Sequence, residues 1–542
     1  MQVSTQKTTG KSHRWALLGI ILCLFVVAGV VVIRMVIDRA EPILRARVVQ
    51  TLSNRFQSRV ELKSLGVSVV QGLEVYGSGL KIYGASDPNP YEAGVQPLIS
   101  IREFHFHTGI RNLFRPVVHV DTVYVKGMEL NIPPKESRPA FTKKMRSQTR
   151  KMSVVVDQFV CQDTDLLINN SNPEKAPLEF AIGDLKMKDI GAGLPMHFDA
   201  TLVNPKPVGD IHSSGLFGPF HEDDPRETPV QGDYSFSNAD LGTLKGIGGI
   251  LSSTGKYEGT LSEIVVNGST DTPDFQIARS GHPMPLHTDF HAIVDGTSGD
   301  TDLAPVKATL LHSSFTATGS VTRMRNQPGH DIELEVVVEH AQIQDLLRLG
   351  VRTDPPVMTG PVQMHTRMSL RPGDADVADR LKLAGNFHVS DGYFTNEKVQ
   401  SRLDSLSLRT QGKMKEAQKN EAEKVPTDSR GVFTLKDGLL SFSLLHFMIP
   451  GTHVDLTGDY SLDGRTFDFH GTARLEAKLS QMTTGWKSLL LKPVDRFFSK
   501  DGAGTEVPVR ITGTESEPHF GLDFGHKDEH APLEKNFDAA KR

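Results

Sequence analysis

Histidine and aspartate residues between positions 282 and 291 have the spacing closest to a metal site in this sequence. The stretch "HPMPLHTDFHAIVDG" supplies His282, His287, Asp289 and His291, and His287 and His291 are four residues apart, as in helical zinc sites. The same stretch alternates apolar and polar residues, which is typical of a strand. On a strand, at about 3.3 Å per residue, these two histidines lie roughly 13 Å apart, too far to bind one zinc ion at about 2.0 to 2.1 Å. We therefore predict a strand here and no metal.

Three further segments resemble binding sites only in part. His105 and His107 in "FHFHTG" share a strand face, but no third ligand is indicated, so we interpret them as part of a half-exposed strand. Residues 295–302, "DGTSGDTD", lack the ordered ligands and closing Glu of a calcium loop, and predict a hairpin turn. Residues 242–249, "GTLKGIGG", lack Walker spacing and predict a flexible turn.

Catalytic patterns are missing from the sequence. It contains no serine nucleophile elbow, kinase signature or Cys/His constellation, and its paired carboxylates fall in turns or at solvent-facing strand positions. The 60 basic and 65 acidic residues are spread along the chain and give a net charge of -5, unlike the clustered basic surface of a nucleic-acid-binding protein. We therefore predict a protein that is not an enzyme, needs no cofactor and binds no nucleic acid.

These side chains lie in segments that we predict to be strands. Alternation of apolar and polar residues recurs from Val60 onward, as in "IELEVVVEH", and Asp-Gly turns such as "KDG" (436–438) separate the strands at short intervals. One face of each strand is apolar. The positions that we expect on the apolar faces are Ile332, Leu334, Val336, Val338, Phe433, Leu435, Val454, Leu456, Phe467, Phe469, Phe520 and Leu522.

A short pattern occurs twice, in "GNFHVSDGYF" (385–394) and "GVFTLKDGLL" (431–440). Each copy contains Gly, one residue, Phe, three residues, Asp-Gly and an apolar or aromatic pair. Because Asp-Gly is a strong hairpin signal, we interpret the pattern as a hairpin unit in which Asp-Gly turns the chain.

Few segments have helical periodicity. Helices are predicted near 139–152, 341–350 and 479–498. Residues 412–427 are predicted to be a charged linker between a β region over 60–411 and a C-terminal β region over 428–524, and residues 525–542 a disordered tail.

The N-terminal segment contains one long apolar run. Residues 15–33 carry no charge, and the run extends to 37 if Arg34 places its guanidinium at the interface. We predict an uncleaved signal anchor over 15–37 in preference to a buried core helix, with a cytoplasmic tail over 1–14 and a juxtamembrane amphipathic helix over 38–59. The basic residues that flank the span, counted by the positive-inside rule, favour keeping the chain after the span in the cytoplasm, which is the opposite of export. Anchor residues in the span include Trp15, Leu22, Phe25 and Val32.

The predicted fold class is mainly β: an N-terminal transmembrane helix followed by a long, curved, largely antiparallel β-sheet that forms an open groove, with few short helices. Such strands must close, stack, or leave a groove lined by alkyl and aromatic side chains. An open apolar groove can carry lipid, because exposing about 30 methylenes of two acyl chains to water costs on the order of 25 kcal/mol.

Several stretches resemble the AsmA-like family of Gram-negative bacteria. The N-terminal "LSNRFQSRVELKSLGVSVVQGLEVYGSGLKI" and "HVDTVYVKGMELNIP" resemble its N-terminal region, and "GVFTLKDGLLSFSLLHFMIPGTHVDLTGDYSLDGRTFDFHGTARL" with "LLKPVDRFFSKDGAGTEVPVRITGTESEPHFGLDF" its C-terminal region. The resemblance implies a single-pass inner-membrane anchor, a periplasmic β-groove and transport of phospholipid toward the outer membrane, or a role in outer-membrane assembly. It also implies that the bulk of the chain is periplasmic.

A second hypothesis uses the same strands differently. The apolar faces would form an ordinary dry β core, and exposed edges or loops would bind outer-membrane assembly proteins without carrying lipid. The sequence leaves both open, because alternation shows which residues share a face and not whether that face is covered.

Overall fold

The computed structural model of the chain describes most of residues 58–522 and a few residues before them. The described positions are 42, 45–50, 52–53, 58–68, 73–83, 96–109, 117–132, 153–169, 177–191, 194–221, 224–324, 327, 329–413, 416–417, 424–462, 465–477, 505–514 and 517–522. Strands account for most of these residues, so the predicted mainly-β class with few helices is confirmed. The chain divides into two compact units.

Unit 1 contains the N-terminal strands. Neighbouring strands pair antiparallel from β1 to β8, with β3 pairing to both β1 and β2, except that β5 and β6 run parallel. The structure does not describe residues 133–152, which join these two strands. The strands are β1 Val60–Glu61, β2 Ser64–Ser68, β3 Leu73–Ile82, β4 Ile99–Thr108, β5 Val117–Ile132, β6 Ser153–Ile168, β7 Leu178–Gly191 and β8 Met196–Pro205.

A small hydrophobic core in unit 1 joins the first strands to the chain before them. Residues 45–50 are helical, within the predicted amphipathic helix. Val48 and Val49 of this segment pack against the buried cluster of Leu62, Leu65 and Val75. The predicted amphipathic segment therefore uses this apolar side against protein strands.

Unit 2 contains a long antiparallel meander, in which most strands pair with the strands before and after them in the chain. From β12 to β17 each strand pairs with the next, β17 pairs with β19, and pairing continues from β19 to β26. Strand β10 pairs with β12, and the two-residue strands β11 and β18 pair with β13 and β20.

The bounds of these strands follow. They are β9 Val208–Phe217, at the boundary between the units, β10 Pro229–Asp240, β11 Ile247–Gly248, β12 Ile250–Thr260, β13 Glu263–Ile277, β14 Met284–Val294, β15 Thr301–Leu310, β16 Ser313–Thr322, β17 Asp331–Gln342, β18 Met358–Thr359, β19 Pro361–Leu370, β20 Leu381–Phe394, β21 Thr427–Lys436, β22 Leu439–Ile449, β23 Thr452–Ser461, β24 Thr466–Leu475, β25 Thr505–Thr514 and β26 Pro518–Leu522.

Three α-helices are described in unit 2. Helix α1, Ile343–Gly350, lies within the predicted helix over 341–350. Helix α2, Val377–Arg380, is a single turn. Helix α3, Glu397–Thr410, begins after the N-cap residue Asn396, whose side chain accepts hydrogen bonds from the backbone of Lys398 and Val399. Helix α3 was not predicted from the sequence.

The two copies of the repeated pattern fold differently. Asp437 and Gly438 both have positive φ, 53° and 75°, and join β21 to β22 in the predicted hairpin, which is the backbone of a type I′ turn. At the first copy only Asp391 has positive φ, 50°, and the chain continues through Gly392 within β20. The register shift there shows a β-bulge. The prediction that both copies are hairpins is therefore wrong for 385–394.

The other predicted turns have mixed outcomes. Residues 295–300 connect β14 to β15, so the turn predicted within 295–302 is present, and the Asp295 carboxylate accepts hydrogen bonds from the backbone and hydroxyl of Thr297. Within 242–249 the structure has the end of a 3₁₀ turn, Leu241–Thr243, followed by strand β11.

Several predictions fall on residues that the structure does not describe. They are the anchor over 15–37 with Trp15, Leu22, Phe25 and Val32, the tails 1–14 and 525–542, the helices near 139–152 and 479–498, and half of the linker over 412–427. Within the described part of the chain, no helix combines the length and apolar character needed to cross a membrane.

Candidate functional site

The strand register of unit 2 places all twelve predicted apolar residues on one face of the sheet. Residues directly opposite each other in paired strands share a face. Leu383 lies opposite Leu435, for example, and Phe433 lies opposite Phe442. Following such pairs from β17 to β26 connects Ile332, Leu334, Val336, Val338, Phe433, Leu435, Val454, Leu456, Phe467, Phe469, Phe520 and Leu522. We call this side of β17–β26 the apolar face.

The repeated Gly-x-Phe pattern is a contact between neighbouring strands on this face. Gly385 of β20 lies opposite Phe433 of β21, and Phe387 lies opposite Gly431. Each phenylalanine therefore lies opposite the glycine of the other copy. A side chain at Gly431 would meet the Phe387 ring, and a side chain at Gly385 would meet the backbone of His365 and Thr366 on β19. The rings of Phe387 and Phe433 are 6.2 Å apart and tilted by 52°. The pattern that suggested two hairpins thus specifies one strand pair.

Further aromatic contacts continue across the apolar face. The Phe387 ring lies 6.3 Å from that of Phe442 in an edge-on contact, and Phe442 lies 5.8 Å from Phe469. Phe469 in turn lies 5.9 Å from Phe467. Such ring pairs add to the stability gained by burying area. The rings form a connected aromatic surface from β20 to β24.

Burial differs among the twelve residues. Val338 and Leu456 are 2% exposed, and Phe433 and Leu435 are also buried. At the last strand Phe520 and Leu522 are 51% and 55% exposed. The remaining six are partly buried: Ile332, Leu334, Val336, Val454, Phe467 and Phe469. The apolar face is therefore neither a closed core nor a bare surface.

Helix α1 covers one end of the apolar face. Ile343, Leu346 and Leu347 pack against a buried cluster that includes Val338 and Val362. The helix is held by Asp345, 1% exposed, whose carboxylate accepts hydrogen bonds from the His312 backbone at 3.1 Å and the Ser313 hydroxyl at 2.8 Å. Asp345 therefore joins α1 to the turn between β15 and β16. We call this end of the strands the capped end.

Helix α3 is held at the capped end by polar side chains. The Gln400 side chain accepts a hydrogen bond from the Phe394 backbone and donates to the carbonyl of Val425. Asp404 accepts from the Val425 backbone at 2.8 Å, and the Ser407 hydroxyl donates to the Pro450 carbonyl at 2.8 Å. These bonds occupy backbone groups at the ends of strands that have no ladder partner there.

In the described part of unit 2, strands β12–β26 contact mainly their neighbouring strands. At the capped end they also contact helices α1 and α3. The middle of the apolar face is thus bordered by helices at one end only, as far as the described residues show. Most of the aromatic and aliphatic side chains there are only partly buried among the described residues.

The opposite side of the same strands carries cross-strand ion pairs, and we call it the polar face. His365 is 2.7 Å from Glu335, and His446 donates to Asp455 at 2.6 Å. The hydrogen bond from His446 lowers the pKa of the Asp455 carboxyl; partial burial opposes this shift, and the positive charge of nearby Arg474 adds to it. Such pairs stabilise the sheet by contacts between neighbouring strands.

The histidines considered as metal ligands are used in separate cross-strand contacts. His287 hydrogen-bonds Asp271 at 2.7 Å and His291 hydrogen-bonds Asn267 at 2.9 Å, both from strand β14, which is a strand as predicted. In unit 1 His105 stacks on Tyr124, with the ring centroids 6.2 Å apart. Within the described residues, no group of three or more potential ligands is placed to hold a metal ion.

Sequence reasoning missed α3, although a signal was present. Asn396 is a good N-cap residue, and Val399, Leu403 and Leu406 follow at the spacing of four and three that marks one side of a helix. The serines and arginines between them obscured the pattern, because the packed side of this helix is polar. The helix turns out to contribute both to the capped end and to the charge beside the apolar face.

Comparison with known proteins identifies no relative of this chain. It matches no protein-family model, and no curated protein or solved structure is significantly similar to it. The resemblance to the AsmA-like family therefore stays a hypothesis, and the function must be argued from the apolar face.

Proposed function

We propose that unit 2 binds phospholipid acyl chains on the apolar face, and that the protein is an inner-membrane-anchored periplasmic protein that carries phospholipid toward the outer membrane. One observation carries the binding step: the register gathers twelve widely spaced apolar residues on one face, and eight of them are not buried. Membrane anchoring, periplasmic location and direction rest on the apolar N-terminal run and the family resemblance.

The physical argument concerns the cost of exposed hydrocarbon. Removing a methylene from water gains about 0.8 kcal/mol, so a protein surface that covers part of an acyl chain stabilises a lipid outside the bilayer. A partly buried surface suits this task better than a dry core, because room for the ligand remains beside it. Phe442 and Phe469, linked ring to ring, offer broad planar contacts for alkyl chains.

The test compares two adjacent residues of β17 that face opposite ways. Val336 lies on the apolar face and is partly buried, whereas Val337 lies on the polar face and is 36% exposed. We expect Val336→Asp to reduce co-purifying phospholipid at least several-fold, because a carboxylate in contact with acyl chains must be desolvated. Val337→Asp should leave the lipid content unchanged. Lipid per protein is measured by mass spectrometry after purification of the full chain.

A second position tests whether the effect extends along the face. Phe469→Asp on β24 should also reduce bound lipid, with circular dichroism confirming that both variants fold. Wild-type lipid content in a folded Val336→Asp/Phe469→Asp variant would exclude binding at this face. A wild-type protein that purifies without lipid, and that both substitutions strongly destabilise, would instead favour the non-catalytic interaction protein that assists outer-membrane assembly.

A further inference from the structure

A row of cations runs along the solvent side of α3. Lys398, Arg402 and Arg409 are spaced by four and seven residues, which places them on one side of a helix with about 3.6 residues per turn. All three side chains are exposed. The opposite side of the helix carries the polar residues that fix it to the strand ends. These bonds fix the rotation of the helix about its axis, so the cations point away from the strand ends.

Apolar side chains of α3 lie next to this row. On a helical wheel at about 100° per residue, Val399, Leu403 and Leu406 form a stripe between the buried polar residues and the cations. These three residues are partly buried. The two carboxylates of the helix, Glu397 and Asp404, lie on its other side. The helix therefore presents an apolar stripe bordered by positive charge.

A contact between α3 and the last strand places this charge at the apolar face. The guanidinium carbon of Arg402 lies 5.8 Å from the ring centroid of Phe520, within the range of a cation–π interaction. Phe520 is on the apolar face and 51% exposed. Arg402 thus adjoins the surface where we propose that acyl chains bind.

The three cations have no carboxylate partner within the part of the chain that the structure describes. The ion pairs of the polar face, such as Arg510 with Asp468 at 2.6 Å, show how arginines elsewhere in unit 2 are neutralised. A cationic row beside an apolar surface is complementary to an anionic amphiphile, in which a negatively charged group lies next to alkyl chains.

We infer that this cationic row binds the phosphodiester headgroup of a phospholipid whose acyl chains lie along Leu403, Leu406 and the apolar face. Lys398 and Arg402, about 6 Å apart along the helix axis, would contact the phosphate, and Arg409, two turns further on, would add positive charge to the row. This inference rests on the proposed function and adds an orientation to it: the headgroup lies at α3 and the chains extend over the sheet. Arginine suits the role because its guanidinium can bind two phosphate oxygens at once. The site would favour lipids with a phosphate over neutral diacylglycerol.

The experiment compares two photoreactive lipids with identical diazirine-bearing acyl chains, phosphatidylglycerol and diacylglycerol. Each is presented to the full chain in nonionic detergent micelles, and labelled peptides are measured by mass spectrometry. In the wild type we expect phosphatidylglycerol to label α3 and β26. The variant Lys398→Gln/Arg402→Gln/Arg409→Gln should lose phosphatidylglycerol labelling at least five-fold and keep its diacylglycerol labelling.

A matched control removes the same charge from the polar face. Lys307→Gln/Arg367→Gln/Lys382→Gln changes three exposed cations on β15, β19 and β20 and should leave both labelling yields at the wild-type level. Equal phosphatidylglycerol labelling of the wild type and the α3 variant would overturn the inference. So would suppression of labelling by 10 mM sodium phosphate, which would mean that the row takes free phosphate. Failure of both lipids to label the wild type would instead overturn the proposed function.

Discussion

The ring of Phe387 lies against the backbone of Gly431 on the neighbouring strand. A β-carbon added at Gly431 would lie 2.5 Å from Cε1 of Phe387 and 3.2 Å from the backbone oxygen of Leu444. Glycine here is a packing requirement, because the aromatic ring occupies the place of a side chain. Together with Phe433 opposite Gly385, this contact fixes the register of β20 and β21 at the centre of the apolar face.

Gly431→Ala should lower the free energy of unfolding by about 1 to 3 kcal/mol, because the added methyl group must displace the Phe387 ring. Urea denaturation of the purified chain measures the change. Gly521→Ala is the matched control, because a β-carbon there meets no atom within 4 Å, and we expect it to be neutral.

Replacing the ring tests the cause of that loss. Gly431→Ala combined with Phe387→Leu should cost less than the sum of the two single changes, since the smaller side chain leaves room for the methyl group. Strict additivity would mean that the two residues do not compete for the same space.

Two consecutive valines of β17 test how much side chains on the two faces contribute to the stability of the fold. Val338 is 2% exposed and belongs to the buried cluster at the capped end, whereas Val337 is 36% exposed on the polar face. We expect Val338→Ala to cost about 1 to 3 kcal/mol and Val337→Ala less than about 0.5 kcal/mol. Chemical denaturation distinguishes them, and equal costs would contradict the assignment of faces.

Asp345 should be the most sensitive polar residue of α1. Asp345→Ala leaves the His312 backbone and the Ser313 hydroxyl without this acceptor, which costs about 1 to 3 kcal/mol when the groups are buried. Asp354→Ala removes a side chain that is 64% exposed and should change little. Faster amide hydrogen exchange over 343–350 in the Asp345→Ala variant alone would locate the loss at α1.

The pair of His446 and Asp455 predicts a dependence of stability on pH. The pKa of Asp455 is lowered in the folded protein, chiefly by the hydrogen bond from His446, so the unfolded chain takes up its proton first as the pH falls. The stabilisation by Asp455 is therefore fully present above the ordinary aspartate pKa of 3.8 and is lost as the pH falls through the lower folded value. Asp455→Asn should cost about 1 kcal/mol at pH 7.

The measurement is the difference in urea midpoint between wild type and Asp455→Asn at pH 7 and near pH 3. The difference should shrink at the lower pH. Asp459→Asn, an exposed position on the same strand, provides the control, and a difference that grows on acidification would contradict the assigned direction.

Much of unit 2 could be predicted from local sequence, because period-2 alternation marks a strand with one apolar side. The twelve apolar positions and helix α1 follow from such patterns. That these positions share one face could not be predicted, since it depends on bulges such as the one between Val432 and Phe433 in the pairing with β22. A single inserted residue exchanges the two faces beyond it unless a bulge absorbs it.

Asp-Gly at 391–392 shows a different reason for failure. The dipeptide supplies a residue that tolerates positive φ, which suits either a hairpin turn or a bulge. The choice is made by the surroundings: Phe394 and Tyr393 pair with β18, and the Phe394 backbone is bound by Gln400 of α3. Strand β18 is more than 30 residues away in the sequence, and helix α3 forms after the dipeptide, so the local signal is ambiguous.

The antiparallel meander from β19 to β26 limits the ways in which the apolar face can change in size. Because consecutive strands run in opposite directions, removing a single strand would reverse every strand that follows and exchange the two ends of the sheet. Loss or duplication of two strands preserves both direction and ends. The area of the apolar face can therefore grow or shrink in increments of one hairpin, each about 10 Å wide.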